Sequence, residues 1–322
     1  MTGKIAIIGG NNFTGNALGK RLYEEGYDFI VVDIERPPSL PKEVPFYKVD
    51  LTQTTADAIL ANIFKTEEIK TVIHMAFLEN PTHNLSMQHE LEVIGTLYLT
   101  HACAEAGIEK IIMKSSTMVY GAHPDNPNFL TEEHPARGTP SYPFVQDMVE
   151  AEKIMMRFKE KHPEVSVTIL RLATIIGPEI DYYITRILSR AAVPILMGYD
   201  PLYQIIHEED AVEVFLVALR SDKEGIFNVA GEGLLPVTSI LKILGRVPIP
   251  IFHPVAYPLV DSLWLAGISP VPGAHLDYIR YLWVADTQKI KDVMGFWGEY
   301  DIKSTLEKFF AGWRARKMGF TL

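Results

Sequence analysis

The chain has 322 residues, 48% of them apolar, and a formal net charge of −10, which fits one large or two intimate soluble domains around a sizeable core. The acidic balance argues against nucleic acid and anionic membrane surfaces as partners, because both are bound by clustered Lys and Arg. The single cysteine, Cys103, excludes an intramolecular disulfide and fits a reducing, cytoplasmic setting.

In chain order, short β-branched runs alternate with longer amphipathic ones: Lys4–Ile8, a helical pattern over Phe13–Glu25, then Phe29–Asp33. That alternation predicts βαβ units and a buried parallel sheet. Further strands are predicted at Phe46–Val49, Thr71–Met75, Ile111–Ser115 and Val165–Leu170, with helices at Gln53–Phe64, Leu85–Ala106 and Phe144–Lys161. The expected fold is α/β, a Rossmann-like doubly wound parallel sheet.

Only Ile5–Ile8 are apolar before Gly9 and Gly10, so no signal peptide is expected. The most apolar later stretch, 247–272, is interrupted by six prolines, His253 and Asp261, and offers no continuous span of about 20 apolar residues.

Between the first strand and helix lies Gly9-Gly10-Asn11-Asn12-Phe13-Thr14-Gly15. A glycine-rich turn at a helix N-terminus directs amide N–H groups and the positive end of the helix dipole toward a pyrophosphate. Asp33 ends the next strand, where a carboxylate accepts hydrogen bonds from an adenosine ribose. The same carboxylate repels a 2′-phosphate, favouring NAD over NADP, although Arg36 could soften that choice.

These features resemble the extended short-chain dehydrogenase/reductase family, the NAD-dependent epimerase/dehydratase group. The Gly9-to-Gly15 turn is similar to its GxxGxxG, Asp50-Leu51 to its adenine-contacting acid, and His74-Met75-Ala76-Phe77 to the fourth-strand segment lining the cofactor. Ser115-Ser116-Thr117-Met118-Val119-Tyr120-Gly121 resembles SSxxVYG, in which a hydroxyl at the Ser116 position orients the reacting oxygen of the substrate. Leu170–Pro178, with Leu172 and Thr174 on the cofactor side, and Ile206–Ala211 resemble its RxxxxxGP and HxxD segments. The resemblance implies NAD, a small-molecule substrate, and a homodimer formed through Leu85–Ala106 and Phe144–Lys161.

Four positions depart from the family pattern. With Ala151-Glu152 fixing the register, Phe144 and Met148 occupy the positions of the catalytic Tyr and Lys. Neither can carry out the proton transfer of a phenol whose pKa is lowered by a neighbouring cation. Asn12 replaces a glycine, and since Asn tolerates φ > 0 better than most residues, the turn can survive with an altered phosphate contact. Glu92 stands where the family usually has Asn.

Tyr142 is the candidate substitute for the lost tyrosine, and Ser116 and Thr117 are candidates to orient a carbonyl or hydroxyl of the substrate. The two hydroxyls either bind substrate or satisfy local backbone groups, and Tyr142 either reaches the cleft or is an ordinary loop tyrosine. No histidine spacing matches a metal site, so no catalytic metal is expected.

Beyond Pro178 the pattern becomes irregular. The expected organisation is 1–178 as the NAD(P)-binding domain, with 204–230 returning to it, and 179–203 plus 231–322 as a smaller, interleaved, mostly helical substrate lobe. Helices are predicted at Asp181–Ala192, Val237–Leu244, Tyr257–Ala266, His275–Trp283, Thr287–Met294 and Ile302–Arg314. Phe252, Tyr257, Leu259, Leu263, Trp264, Tyr278, Tyr281 and Trp283 either form that lobe's core or line a pocket for an apolar or ring-bearing ligand. Arg186, Arg190 and Arg280 are candidates for a sugar-nucleotide diphosphate. The sequence thus predicts an NAD-dependent oxidoreductase or epimerase-like protein with a non-standard site, or a catalytically inactive nucleotide-binding regulator.

Overall fold

The β-branched runs of the first half form one sheet in a computed structural model that describes residues 3–318. Its strands are β1 (Lys4–Ile8), β2 (Phe29–Asp33), β3 (Phe46–Lys48), β4 (Ile69–His74), β5 (Lys110–Ser116), β6 (Ser166–Leu172) and β7 (Gly225–Val229). Their spatial order is β7-β6-β5-β4-β1-β2-β3. β1 pairs in parallel with both β2 and β4, β2 with β3, and β4 with β5. The chain therefore builds outward from β1 in one direction and then returns to build in the other. This reversal opens a crevice at the carboxyl ends of β1 and β4, the usual place for a ligand in such sheets. Residues Ile5 to Ile8 are buried, as expected of a strand covered on both faces.

Two units divide the chain. One comprises the chain up to Ser115, Asp147–Arg171 and Val212–Phe227; the other comprises Ser116–Gln146, Leu172–Ala211 and the chain from Asn228 onward. The second unit therefore takes in 116–146, 172–178, 204–211 and 228–230, which the sequence places with the nucleotide domain.

Within the first unit, the helix Phe13–Glu24 buries Leu18 and Leu22, and the helices Ala56–Thr66 and Gly95–Ala106 pack together. Lys110 Nζ donates to the carbonyls of Ala218 (2.6 Å), Leu219 (3.0 Å) and Ser221 (2.5 Å). It thereby satisfies acceptors left open at the end of the helix Glu208–Arg220.

Three predicted helices differ in the structure, one of them His275–Trp283, which is a 3₁₀ segment over Gly273–Ile279. Leu85–Ala106 is not continuous: α-helical Leu85–His89 passes through a π-turn at Glu90–Ile94 before Gly95–Ala106 resumes. Thr96 Oγ1 donates to the Glu92 carbonyl at 2.5 Å, adding a side-chain donor to the ladder where it widens. In the second unit, Asp181–Ala192 shortens to Tyr183–Leu188, and Ala192–Leu196 becomes a strand paired in parallel with Val247–Ile251.

Candidate functional site

At the carboxyl ends of β1 and β4, the first unit holds a cavity of about 190 Å³. Gly9, Asn12, Asp33, Leu51, Met75, Ala76 and Phe77 line it, bringing together seven of the residues singled out in the sequence. Gly9 has φ +82°, and a Cβ there would lie 2.4 Å from the Ala76 backbone. Only glycine permits both that conformation and that approach. A Cβ on Gly15 would lie 2.9 Å from Gly10 Cα, so this glycine lets the helix close onto the turn.

Asn12 is not in a left-handed conformation: its φ is −110° and ψ 170°, ordinary extended backbone. Its side chain is a latch. Oδ1 accepts from the Gly15 N–H at 2.8 Å and caps the helix, while Nδ2 donates to the carbonyls of Gly9 (2.8 Å) and Met75 (2.9 Å). Phe13 and Thr14 form the first turn behind the groove, where amides lack intrahelical acceptors. Thr14 Oγ1 is buried there without a partner.

Asp33 Oδ2 accepts from the Asn11 N–H at 2.7 Å and Oδ1 from the Ile34 N–H at 2.6 Å. Burial pushes its carboxyl up, against the pull of these two hydrogen bonds. Arg36 does not join it on the groove wall. The guanidinium donates to the carbonyls of Pro41 (2.6 Å) and Val44 (3.1 Å) and lies over the Phe46 ring. Asp50 sits behind Leu51 and accepts from the Thr52 N–H and hydroxyl.

Near the end of β5, Ser115 donates to Glu152 at 2.5 Å. Glu152 in turn receives Arg171 through Nε (3.0 and 3.1 Å) and Nη2 (2.6 Å), in a pair whose side chains are each 4% exposed. Ser115 is therefore committed to this buried pair. Nothing local in the sequence signals this pair beyond Glu152 serving as a register mark.

Glu92 is fully buried in the π-turn: Oε1 accepts from the Leu78 N–H at 2.8 Å, while Oε2 has no partner. Burial drives its carboxyl well above the usual range. Asp147, next to Met148, accepts from Gln88 Nε2 at 2.8 Å and hydrogen-bonds His89 Nδ1 at 2.9 Å.

In the second unit, Ser116 caps the turn Thr117–Tyr120 by accepting from the Met118 N–H at 3.2 Å, and Thr117 is buried. Leu172 is buried here too, and Thr174 Oγ1 hydrogen-bonds the Tyr203 hydroxyl at 3.2 Å. Tyr142 is 1% exposed and sealed among Phe144, His275 and Tyr278, with its hydroxyl 3.4 Å from His275 Nδ1. Burial pushes its phenol well above 10, the reverse of what proton transfer by a phenolate requires. Phe144 packs edge-on against Tyr183 in the same cluster. Met148, which falls in the first unit, is buried and apolar as well.

A second cavity, of about 160 Å³, lies within this unit. None of the eight aromatic and aliphatic residues expected from the sequence lines it. Tyr278 and Trp283 are core, whereas Phe252 and Leu259 face outward. Its wall is aliphatic instead, built from such residues as Ile184, Val193, Leu241, Val260 and Leu276, with His275 among them. Burial brings His275 down to about 4, so the imidazole is neutral at physiological pH.

His207 packs against Tyr300 with ring centroids 4.0 Å apart and planes tilted by 34°, and Asp210 accepts from the Glu299 (2.9 Å) and Tyr300 (3.1 Å) N–H groups. The HxxD segment thus docks residues 299–300. Among the described residues, no group of three or more His, Cys, Asp or Glu is placed to hold a metal ion, and no helix is long and apolar enough to cross a membrane.

Comparison with known proteins agrees with this architecture. An uncharacterized protein of Mycobacterium tuberculosis strain H37Rv is 29% identical over 257 residues, covering 79% of this chain and 68% of that protein. The UDP-glucose 4-epimerase of Neisseria meningitidis serogroup C is 30% identical over 187 residues, 54% of this chain and 53% of that enzyme. The solved structure of Thermus thermophilus UDP-glucose 4-epimerase in complex with NAD shares the fold, with a TM-score of 0.75 over 97% of this chain and 99% of that one at 19% identity. A model of the NAD dependent epimerase/dehydratase family matches residues 5–230. Because that match runs from β1 through β7 and takes in every strand of the main sheet, the chain belongs to the NAD dependent epimerase/dehydratase family.

Proposed function

We propose that this chain binds NAD in preference to NADP and acts as an oxidoreductase or epimerase-like protein on a secondary alcohol or ketone, without the Tyr-Lys pair. The observation that carries the reading is the close backbone approach of Gly9 to Ala76 in a groove with Asp33 on its wall. A dinucleotide fits these residues. The first-turn amides and the unpartnered Thr14 hydroxyl suit a pyrophosphate, and the Asp33 oxygens keep lone pairs for a ribose diol. Fastened to Pro41 and Val44, Arg36 does not soften the repulsion between Asp33 and a 2′-phosphate. The NAD complex of the Thermus enzyme and the 30% identity to the Neisseria epimerase support the same reading.

When bound, NAD would supply a hydride donor or acceptor. The chain's own part is to orient the reacting oxygen. Ser116 uses its oxygen to accept from Met118 and retains a hydroxyl proton to donate. Proton transfer then falls to water, because Phe144 and Met148 cannot perform it and Tyr142 is sealed with a raised pKa. Cytoplasmic location and a homodimer through the helices of 85–106 and 143–161 complete the reading; sedimentation velocity tests the dimer.

Titration with NADH and NADPH, followed by nicotinamide fluorescence, tests the cofactor assignment. NADH-selective binding that loses its selectivity in Asp33→Ala is expected; binding of neither nucleotide refutes it. A second reading, a nucleotide-binding regulator without chemistry, is favoured by the apolar, buried Phe144 and Met148. Multiple-turnover oxidation of NADH with a ketone would eliminate it.

A further inference from the structure

The 160 Å³ cavity of the second unit is walled by aliphatic side chains, and its few polar groups are largely committed. The Tyr203 hydroxyl is bonded to Thr174. Ser269 Oγ donates to the Val271 carbonyl at 2.6 Å. His275 is buried beside Tyr142, and Arg190 is the one charged residue on the wall. The other arginines considered for a diphosphate are engaged elsewhere in the same unit. Arg186 pairs with Asp181 at 2.9 Å, and Arg280 donates to the Tyr199 hydroxyl at 3.0 Å with its guanidinium 4.8 Å from the Tyr199 and Tyr281 ring centres. A diphosphate carries at least two negative charges and needs several convergent donors; this wall offers one cation. An apolar cavity of about 150 Å³ is dry and accepts a benzene-sized ring.

We infer that this cavity binds an uncharged apolar group, a carbocycle or short alkyl chain of roughly benzene's size or somewhat larger, and not a nucleotide diphosphate. His275 supplies the one buried imidazole on the wall, able to hydrogen-bond a hydroxyl or carbonyl on that group. The helix His253–Leu265 strengthens the inference. Val260 faces the cavity, while Val255, Leu259 and Leu265 of the same helix are exposed alongside Asp261 and Ser262, so apolar surface continues outside the cavity. That pattern suits a ligand that partitions out of water. The inference rests on the proposed redox function only in making the apolar molecule the substrate; binding itself does not require the cofactor.

The test uses the full chain without added nucleotide and the uncharged fluorophore 1-naphthylamine as probe, displaced by cyclohexanone or 2-hexanone. Val260→Trp and Ile187→Trp fill the cavity from half-buried positions, with thermal melts as the control for folding. The expected result is a saturable fluorescence gain, displacement by both ketones, at least a tenfold loss of affinity in each filled variant, and no displacement by UDP-glucose. Equal probe affinity in both folded variants, or displacement by UDP-glucose as effective as that by the ketones, would overturn it. NADH titration of the same samples separates the two proposals. Probe binding without NADH binding sinks only the cofactor reading, and NADH binding with no saturable probe binding sinks only this one.

Discussion

Asn12→Gly returns a glycine to the position where the family pattern has one, and it should nevertheless destabilise the protein. The Asn12 backbone is extended, so glycine relieves no strain. The substitution deletes two side-chain hydrogen bonds, to Gly9 and Met75, together with the cap on Gly15. Each lost bond costs about 0.5–1.5 kcal/mol, glycine at the cap only a few tenths, and the added backbone freedom about 0.5–1 kcal/mol. The expected total is about 2–4 kcal/mol, read as a lowered urea midpoint with an unchanged m-value. Asn12→Asp keeps the cap acceptor but sets a carboxylate oxygen against the Gly9 and Met75 carbonyls, so it should be at least as destabilising as the glycine variant. A glycine variant as stable as wild type would show that the latch contributes nothing and that the position simply tolerates Asn.

Three further outcomes are expected. Glu92 has a folded pKa above its ordinary 4.5, so the folded state holds the proton longer. The stability this contributes is full below about pH 4.5 and is lost as pH rises toward the folded value. Glu92→Gln keeps the acceptor for Leu78 and should gain stability relative to wild type between about pH 5 and pH 8; parallel pH dependences in urea unfolding would refute the assignment. Arg171→Met leaves Glu152 buried and uncompensated and should cost about 3–5 kcal/mol, much of it recovered when Glu152→Leu is added; a single variant within about 1 kcal/mol of wild type by chemical unfolding would contradict the buried-pair account. Tyr142→Phe removes one long hydrogen bond and should change stability by less than about 1 kcal/mol and leave any ketone-dependent NADH turnover intact; a hundredfold loss of turnover would restore Tyr142 as the proton donor.

The sheet was legible because β1, β2, β4 and β5 are continuous β-branched runs separated by amphipathic helices, and strands covered on both faces have that signature. The groove was legible for the same reason: Gly9, Asp33 and Met75–Phe77 sit at strand ends whose positions follow from the strands. The π-turn was not, because Glu90–Ile94 has the composition of ordinary helix. The strand Val247–Ile251 escaped notice because Pro248 and Pro250 read as breakers. Both fall on alternate positions of a two-stranded sheet, where every strand is an edge and proline need not face the ladder. His275 and the aliphatic cavity had no local signal, since their walls converge from segments far apart in sequence.

The π-turn works as a phase joint between two helical rods. Upstream of it, Gln88 and His89 are clocked onto Asp147; downstream, Thr96 is clocked onto His74. One residue of α-helix is about 100° of rotation, so the extra residue accommodated at Glu90–Ile94 sets the angular offset between the rods. Removing one residue there would turn the whole upstream face by that angle and detach Gln88 and His89 from Asp147, while the downstream contacts kept their alignment. Substitutions on either side of the joint can therefore drift without forcing the other face to readjust, so long as the joint itself keeps its length.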